Sequence, residues 1–233
     1  MALRYFRNYP TGHVMQRQLP GLKTVVLFMA TLLLPNPLLS ASPDKHDWKP
    51  QAEKNSIKTW TKKVAGSKYR AVRGETTLQA SVAQLVAVIN DAEACKEWAD
   101  LCADSFVQEQ LSPREAYIYT LNDMPWPVKD REVLAHVKWH RDGQTVRMLS
   151  NAVDGRIDGK QGAIRIQNAT ARWAFTASNN AQTHAIFEIH MDPNGAIPGW
   201  LLNRLVLKSP FNTLTSLEKQ AGKAKYANSK LPF

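Results

Sequence analysis

Arg131 opens the segment Arg131-Glu-Val-Leu-Ala-His-Val-Lys-Trp139, in which alternate residues are apolar. Period-two alternation places its guanidinium on the face of Val133, Ala135, Val137 and Trp139, which a half-buried sheet turns toward its core. Two roles fit a cation there. One is an anchor for the headgroup or hydroxyl of a ligand, and the other is a structural ion pair with an acid such as Glu109, which shares a strand face with Val107 and Leu111. A buried unpaired charge is costly, so a partner is expected in the empty protein, and pairing and ligand contact are compatible. Glu132, on the alternate face, is expected in solvent. Just upstream, Asn122-Asp-Met-Pro-Trp-Pro-Val-Lys-Asp130 sets Trp126 between two prolines, which hold the indole in a narrow range of directions, as at the mouth of an apolar pocket.

Other residues with chemical potential are weaker candidates. His184, Glu188 and His190 share one strand face and have donor types suited to zinc or iron, but that face is opposite to Phe187 and Ile189, so no metal is expected. No serine or cysteine sits in a nucleophile setting. Trp173 and Phe175 fall on one strand face with Ala171, and Phe187 falls on one face with Ala185, Ile189 and Met191. Aromatics alternating with small residues suit a cavity wall as well as a filled core. Cys95 and Cys102 would stand about 10 Å apart in a continuous helix, too far for a disulfide. A helix ending near Ala99 would let the chain turn back, and an exported protein would favour the bridge; the alternative is two buried thiols.

These residues need elements to hold them. Residues 42–52 read as a polar lead-in, with a short helix around Trp48 capped by Asp44 or Asp47. Strands are expected at 57–64 and 69–78. Ser81 then caps a helix with Val82, Leu85, Val86 and Ile89 on one face, and a second short helix covers 92–98. Six antiparallel strands follow, at 105–111, 116–121, 131–140, 145–153, 163–175 and 183–191, with Asp-Gly turns at 142, 154 and 158. Because Ile164 and Ile166 have the opposite parity to Trp173, a bulge is expected within 167–170. From Pro198 to about Lys223, Trp200, Leu201, Leu205, Phe211, Leu214 and Leu217 recur at helical spacing, with a kink expected at Pro210. The whole reads as a long curved antiparallel sheet gripping a C-terminal helix, an α+β fold, with a tail at 226–233.

The 233 residues carry a net charge of +10. Residues 1–41 hold Arg4, Arg7, Arg17 and Lys23 without an acid, then the apolar run Val25–Leu34 and the small residues Ser40-Ala41-Ser42. That order reads as a secretory signal cut after Ala41, with Met15 as an alternative start. The run is too short for an ordinary membrane span, which leaves tethering through an uncleaved segment as the alternative. Removal lowers the charge to +6, because the four lost cations are unopposed. An exported, periplasmic chain that remains basic would make transient contact with anionic membranes. Nucleic acid is not expected, since Trp60 and Tyr69 are too few aromatics among the lysines.

Trp98 after the paired helices, Pro125-Trp-Pro-Val128 with Asp130-Arg-Glu132, and Ile197-Pro-Gly-Trp-Leu-Leu-Asn203 opening the last helix occur here in an order that resembles the START lipid-transfer domains, especially bacterial ones. Pro210, Thr213 and Leu217 fit the family's closing pattern. The resemblance covers about 48–223 and implies a helix-grip fold over 53–225, with a tunnel for one lipid or sterol-like molecule. It implies a monomeric carrier without cofactor or catalysis. The Trp126 loop would lie near the mouth, and the C-terminal helix, with Trp200, Leu201 and Leu205, would act as the lid. Glu109 and Arg131 would form an acid–arginine pair inside, beside Trp173, Phe175 and Phe187. Cyclases and aromatases acting on polyketide-like substrates share the scaffold, and there Tyr117, Tyr119, Glu109 and Arg131 would supply proton-transfer groups.

Overall fold

The structure, a computed structural model, describes residues 47–178 and 181–233. The secretory signal expected at 1–41 and residues 42–46 of the lead-in lie outside the described residues. Ten strands form one sheet: β1 (Lys49–Lys54), β2 (Ile57–Lys63), β3 (Arg70–Leu78), β4 (Cys102–Ser112), β5 (Glu115–Asn122), β6 (Arg131–Asp142), β7 (Thr145–Val153), β8 (Ile164–Arg165), β9 (Asn168–Ala177) and β10 (Thr183–Asp192). Their order is β1-β2-β3-β10-β9-β7-β6-β5-β4, all antiparallel, with the short β8 beside β6 in parallel. Helices α1 (Val82–Asn90) and α2 (Cys95–Trp98) follow β3, and α3 (Gly199–Leu207) and α4 (Ser209–Ala221) follow β10.

Three local expectations are corrected. The lead-in around Trp48 runs into an edge strand, not a helix. Asn55 and Ser56, both at positive φ (51° and 62°), turn β1 back onto β2, a hairpin geometry without the usual Asn-Gly signal. Pro50 is tolerated because β1 is an edge. The stretch 163–175 is two strands and not one bulged strand. β7 stops at Val153, opposite Leu134, so the start of β6 has a free edge that β8 occupies before the chain crosses to pair as β9 with β7. The C-terminal helix does not merely kink but divides at Lys208 (φ −107°), because Pro210 lacks an amide proton and starts α4 in its first turn.

The concave face of the sheet holds the core. Leu85, Val86 and Val88 of α1 and Leu214, Leu217 and Ala221 of α4 pack with Trp139, Val146, Phe175 and Ala185. α1 begins with a capping box, the Ser81 hydroxyl accepting from the Gln84 amide and the Gln84 side chain accepting from the Ser81 amide. α4 lies directly on β3 at Gly74, where a Cβ would stand 2.8 Å from the Leu214 side chain. Beyond α4, a 3-10 turn at Ala224–Tyr226 leads to Leu231 and Phe233, which pack against the core.

Polar ties fasten this end to α2. Lys223 and Gln220 donate to the Glu97 carboxylate at 2.7 and 3.0 Å. These bonds hold the Glu97 pKa down to about 2, from an ordinary 4.5. A depressed carboxylate contributes stability that is fully present above pH 4.5 and is lost as pH falls toward 2. The difference in thermal midpoint between wild type and Glu97→Gln is therefore expected to shrink across that window. A difference that stays constant down to pH 2 would refute the assignment.

The convex face carries a second cluster that alternation alone does not reveal. Residues 154–163 fold over β5 and β6, and Ile157 and Ala163 pack on Tyr119, Leu121 and Leu134. Under this flap Glu132 is 1 % exposed, not solvated as its parity suggested. It accepts from the Tyr119 hydroxyl (2.8 Å), the Lys160 amide (2.9 Å) and Arg165 Nε (2.9 Å). Burial pushes its carboxyl upward, but these three donors outweigh it and leave the pKa below the ordinary value. Burial and the same carboxylate push the Tyr119 pKa up to about 12.

Candidate functional site

Between the concave sheet and helices α3 and α4 lies a cavity of about 350 Å3. Its floor follows from strand alternation. β5 presents Ile118 and Thr120, β6 presents Val133 and Ala135, and β7 presents Ser150 and Ala152. Ala169 and Ala171 of β9 continue this floor of small residues. Side chains this short cannot reach the helices across the grip, so space remains where bulkier residues would fill a core. At one side Trp173 stacks on Phe187, ring centroids 4.5 Å apart, and Ile189 and Met191 extend the wall. Leu202, Leu205, Val206 and Pro210 form the roof.

Of the residues singled out from the sequence, Trp173, Phe187 and Leu205 line this cavity. Phe175 and Leu201 are fully buried in neighbouring packing and do not line it. Trp126 and Trp200 face outward, 90 % and 51 % exposed. Each is nonetheless close in sequence to cavity-lining residues, Met124 for the first and Leu202 for the second.

The expected Arg131–Glu109 pair is not formed. β4 has register shifts between Cys102 and Asp104, Val107 and Glu109, and Gln110 and Ser112, so parity counted along this strand fails. Glu109 turns outward to Arg156 at 2.8 Å, whose guanidinium lies 4.0 Å over the Tyr117 ring. Arg131 is 2 % exposed, but backbone carbonyls receive it: Nε donates to Pro193 O at 2.6 Å and Nη1 to Lys129 O. Burial lowers its pKa. Tyr69 donates to Gly195 O at 3.0 Å, so Arg131 and Tyr69 together pin the loop that leads from β10 into α3.

The other chemical candidates also have local partners. His184 bonds Glu75 at 2.9 Å, Glu188 pairs with Arg73 at 3.6 Å, and His190 bonds Ser67. Arg73 in turn lies over the Trp48 and Trp60 rings.

Sequence reasoning missed the polar end of the cavity. α2 stops at Trp98, Ala99 is extended and Leu101 has φ +67°, so the chain doubles back and Cys95 and Cys102 form a disulfide, Cα atoms 6.0 Å apart. This is the early helix end that the spacing required for a bridge. Closing an eight-residue loop constrains the unfolded chain by about 2.5 kcal/mol in the loop-entropy account. The bridged segment delivers Cys95, Trp98, Ala99, Asp100 and Leu101 to the cavity wall. Asp100 Oδ1 stands 3.5 Å from Arg204 of α3. The signal available in the sequence was an acid inside a short Cys-to-Cys loop, but only the bridge shows which way it points.

A long antiparallel sheet closed by C-terminal helices over a largely apolar cavity defines a helix-grip protein. The START domain family matches residues 36–223, and the chain belongs to that family. It is 34% identical over 179 residues to the uncharacterized protein PA1579 of Pseudomonas aeruginosa, covering 76% of this chain and 88% of that one. Among solved structures, a STAR-related lipid transfer protein from Xanthomonas axonopodis is similar at 29% identity with a TM-score of 0.69, covering 76% of this chain and 99% of the other. Human StAR-related lipid transfer protein 5 shares the fold, with a TM-score of 0.70 at 15% identity over 77% of this chain and 88% of that one.

Proposed function

We propose that this protein binds one hydrophobic molecule, a lipid or sterol-like compound, in the cavity beneath α3 and α4 and carries it between membranes without transforming it. The observation that carries the reading is the floor of Ala135, Ser150, Ala152, Ala169 and Ala171, which leaves about 350 Å3 empty in the middle of an otherwise packed grip. Membership of the START family and the lipid-transfer name of the Xanthomonas relative support the same function. Apolar burial would supply most of the affinity, at roughly 25 cal/mol per Å2 before ordering costs. A catalytic reading gains nothing from Tyr117, Tyr119, Glu109 or Arg131, because none of them lines the cavity.

The outer surface supports exchange at a membrane. Trp126 and Lys129 on the loop before β6, and Trp200, Leu207 and Lys208 around α3, are exposed on the two segments that also contribute Met124, Leu202 and Leu205 to the cavity. Indoles beside lysines suit an anionic lipid interface. The division at Lys208 gives α3 a hinge on which to lift away from the sheet. Export to a periplasm fits the disulfide, which persists in oxidising compartments.

The test is native mass spectrometry of the protein purified from its own host, with organic extraction of what it holds. One stoichiometric lipid supports the carrier. Absence of any bound lipid, together with turnover of an offered polyketide-like substrate, would replace it with an enzyme.

A further inference from the structure

We infer that the cargo contains an unbranched alkyl chain whose methyl end passes Ile118 and Val137 into a second chamber, where Trp139 and Pro232 stop it. The inference rests on the carrier reading and specifies its ligand. A second cavity of about 200 Å3 adjoins the first, and Ile118 and Val137 line both. It continues the same concave face along the strands. On β5 the inward residues Asn122, Thr120 and Ile118 line the main cavity, and Ile118 and Ala116 line the second. On the antiparallel β6, Val133, Ala135 and Val137 line the main cavity, and Val137 and Trp139 line the second. Helix α1 shows the same order, with Ile89 lining the first and Asn90 the second. Space on both sides explains why Ile118, an inward-facing residue of an interior strand, is only half-buried.

Polarity and length set the orientation. Along β5 the inward residues change from Asn122 and Thr120 to Ile118 and Ala116, and the Asp100 turn lies at the polar end, where the Leu101 carbonyl accepts from the Asp123 amide. A headgroup therefore belongs beside Asn122 and an alkyl end beside Ala116. Around the second chamber, Trp139 Nε1 donates to Asn90 Oδ1 at 2.9 Å, Gln110 Nε2 donates to the Ser112 and Glu115 carbonyls, and the Glu115 carboxylate is bonded to His136 and Lys138. Among the described residues, no buried side-chain polar atom of this chamber lacks a partner, so an apolar end enters without stranding one. At about 3.4 Å per residue, β5 advances roughly 14 Å from Asn122 to Ile118 and roughly 20 Å from Asn122 to Ala116. An extended lipid chain reaches about 15 Å, half of a bilayer core. The main cavity alone leaves no length for a headgroup, whereas the two chambers together take both parts. The end wall is held from outside: the Arg114 guanidinium lies 5.0 Å over the Phe233 ring, whose centroid is 6.4 Å from that of Trp139.

The experiment photolyses the purified protein with hexadecanoate and with 1-hexadecanol, each carrying a diazirine on the carbon next to the terminal methyl, and maps the adducts by mass spectrometry. Adducts are expected on residues that line only the second chamber, Val107, Ala116, Trp139 or Pro232. Adducts confined to the main cavity, the shared Ile118 and Val137 included, would overturn the inference and leave the carrier reading standing. Displacement of a fluorescent fatty acid gives a second readout. Each methylene kept out of the chamber costs about fourfold in affinity, so in Ala116→Leu, which fills it, the hexadecanoate-to-decanoate affinity ratio should fall at least about tenfold. An unchanged ratio in the folded variant would overturn the inference too, and the wild-type adduct map remains decisive if that variant does not fold. Binding of cholesterol with rejection of both hexadecyl probes would exclude the alkyl chain and keep the carrier. Rejection of all three by the folded protein would overturn both.

Discussion

Glu132→Ala is expected to lower the thermal midpoint by about 6–20 °C, corresponding to a loss of about 3–5 kcal/mol in a domain of this size. The substitution removes the acceptor shared by Arg165, Tyr119 and the Lys160 amide and leaves a guanidinium and a phenol facing one another under the 154–163 flap. Release of the flap would also expose Leu134 and Leu121. Because the cluster lies on the convex face, affinity for a cavity ligand should change little at temperatures where the variant is folded. Glu132→Gln keeps an acceptor and should cost less. A midpoint within about 1 °C of wild type would show that the flap is not held this way.

This residue marks where sequence reading stops. Alternation located the inward face of β6 correctly, from Val133 to Trp139, because one buried face imposes its period on the residues that form it. It failed for Glu132 because the rule assumes a solvated outer face, and the loop at 154–163 covers that face. It failed for Glu109 because the β4 register shifts change parity without altering composition. The strands and helices from β2 to β7, an interruption of the C-terminal helix near Pro210 and the aromatics Trp173 and Phe187 were legible, since each follows from local periodicity or from proline geometry. The Trp98–Asp100 turn was not, because its direction depends on the bridge between Cys95 and Cys102 and on a positive φ at Leu101, a conformation with no glycine to announce it.

Ala152→Phe is expected to abolish retention of the native ligand, with affinity reduced at least about tenfold, while the thermal midpoint stays level or rises. The opposite result would hold for a packed interior, where added ring volume costs about 1–3 kcal/mol. Ala152 lies across from Ala135 on β6 and lines the floor of the cavity, so a ring there enters space that the ligand would otherwise occupy and buries apolar surface in the empty protein. Native mass spectrometry of the variant, purified from the same host as wild type, reads occupancy, and calorimetry reads stability. A destabilised variant would mean that the floor is closed in solution and that ligand enters only after α3 moves. A stable variant carrying its full complement of lipid would place the binding site elsewhere on the molecule. The paired readout thus distinguishes a preformed cavity from one that the ligand must open, because only a preformed cavity lets the same ring cost binding and spare the fold.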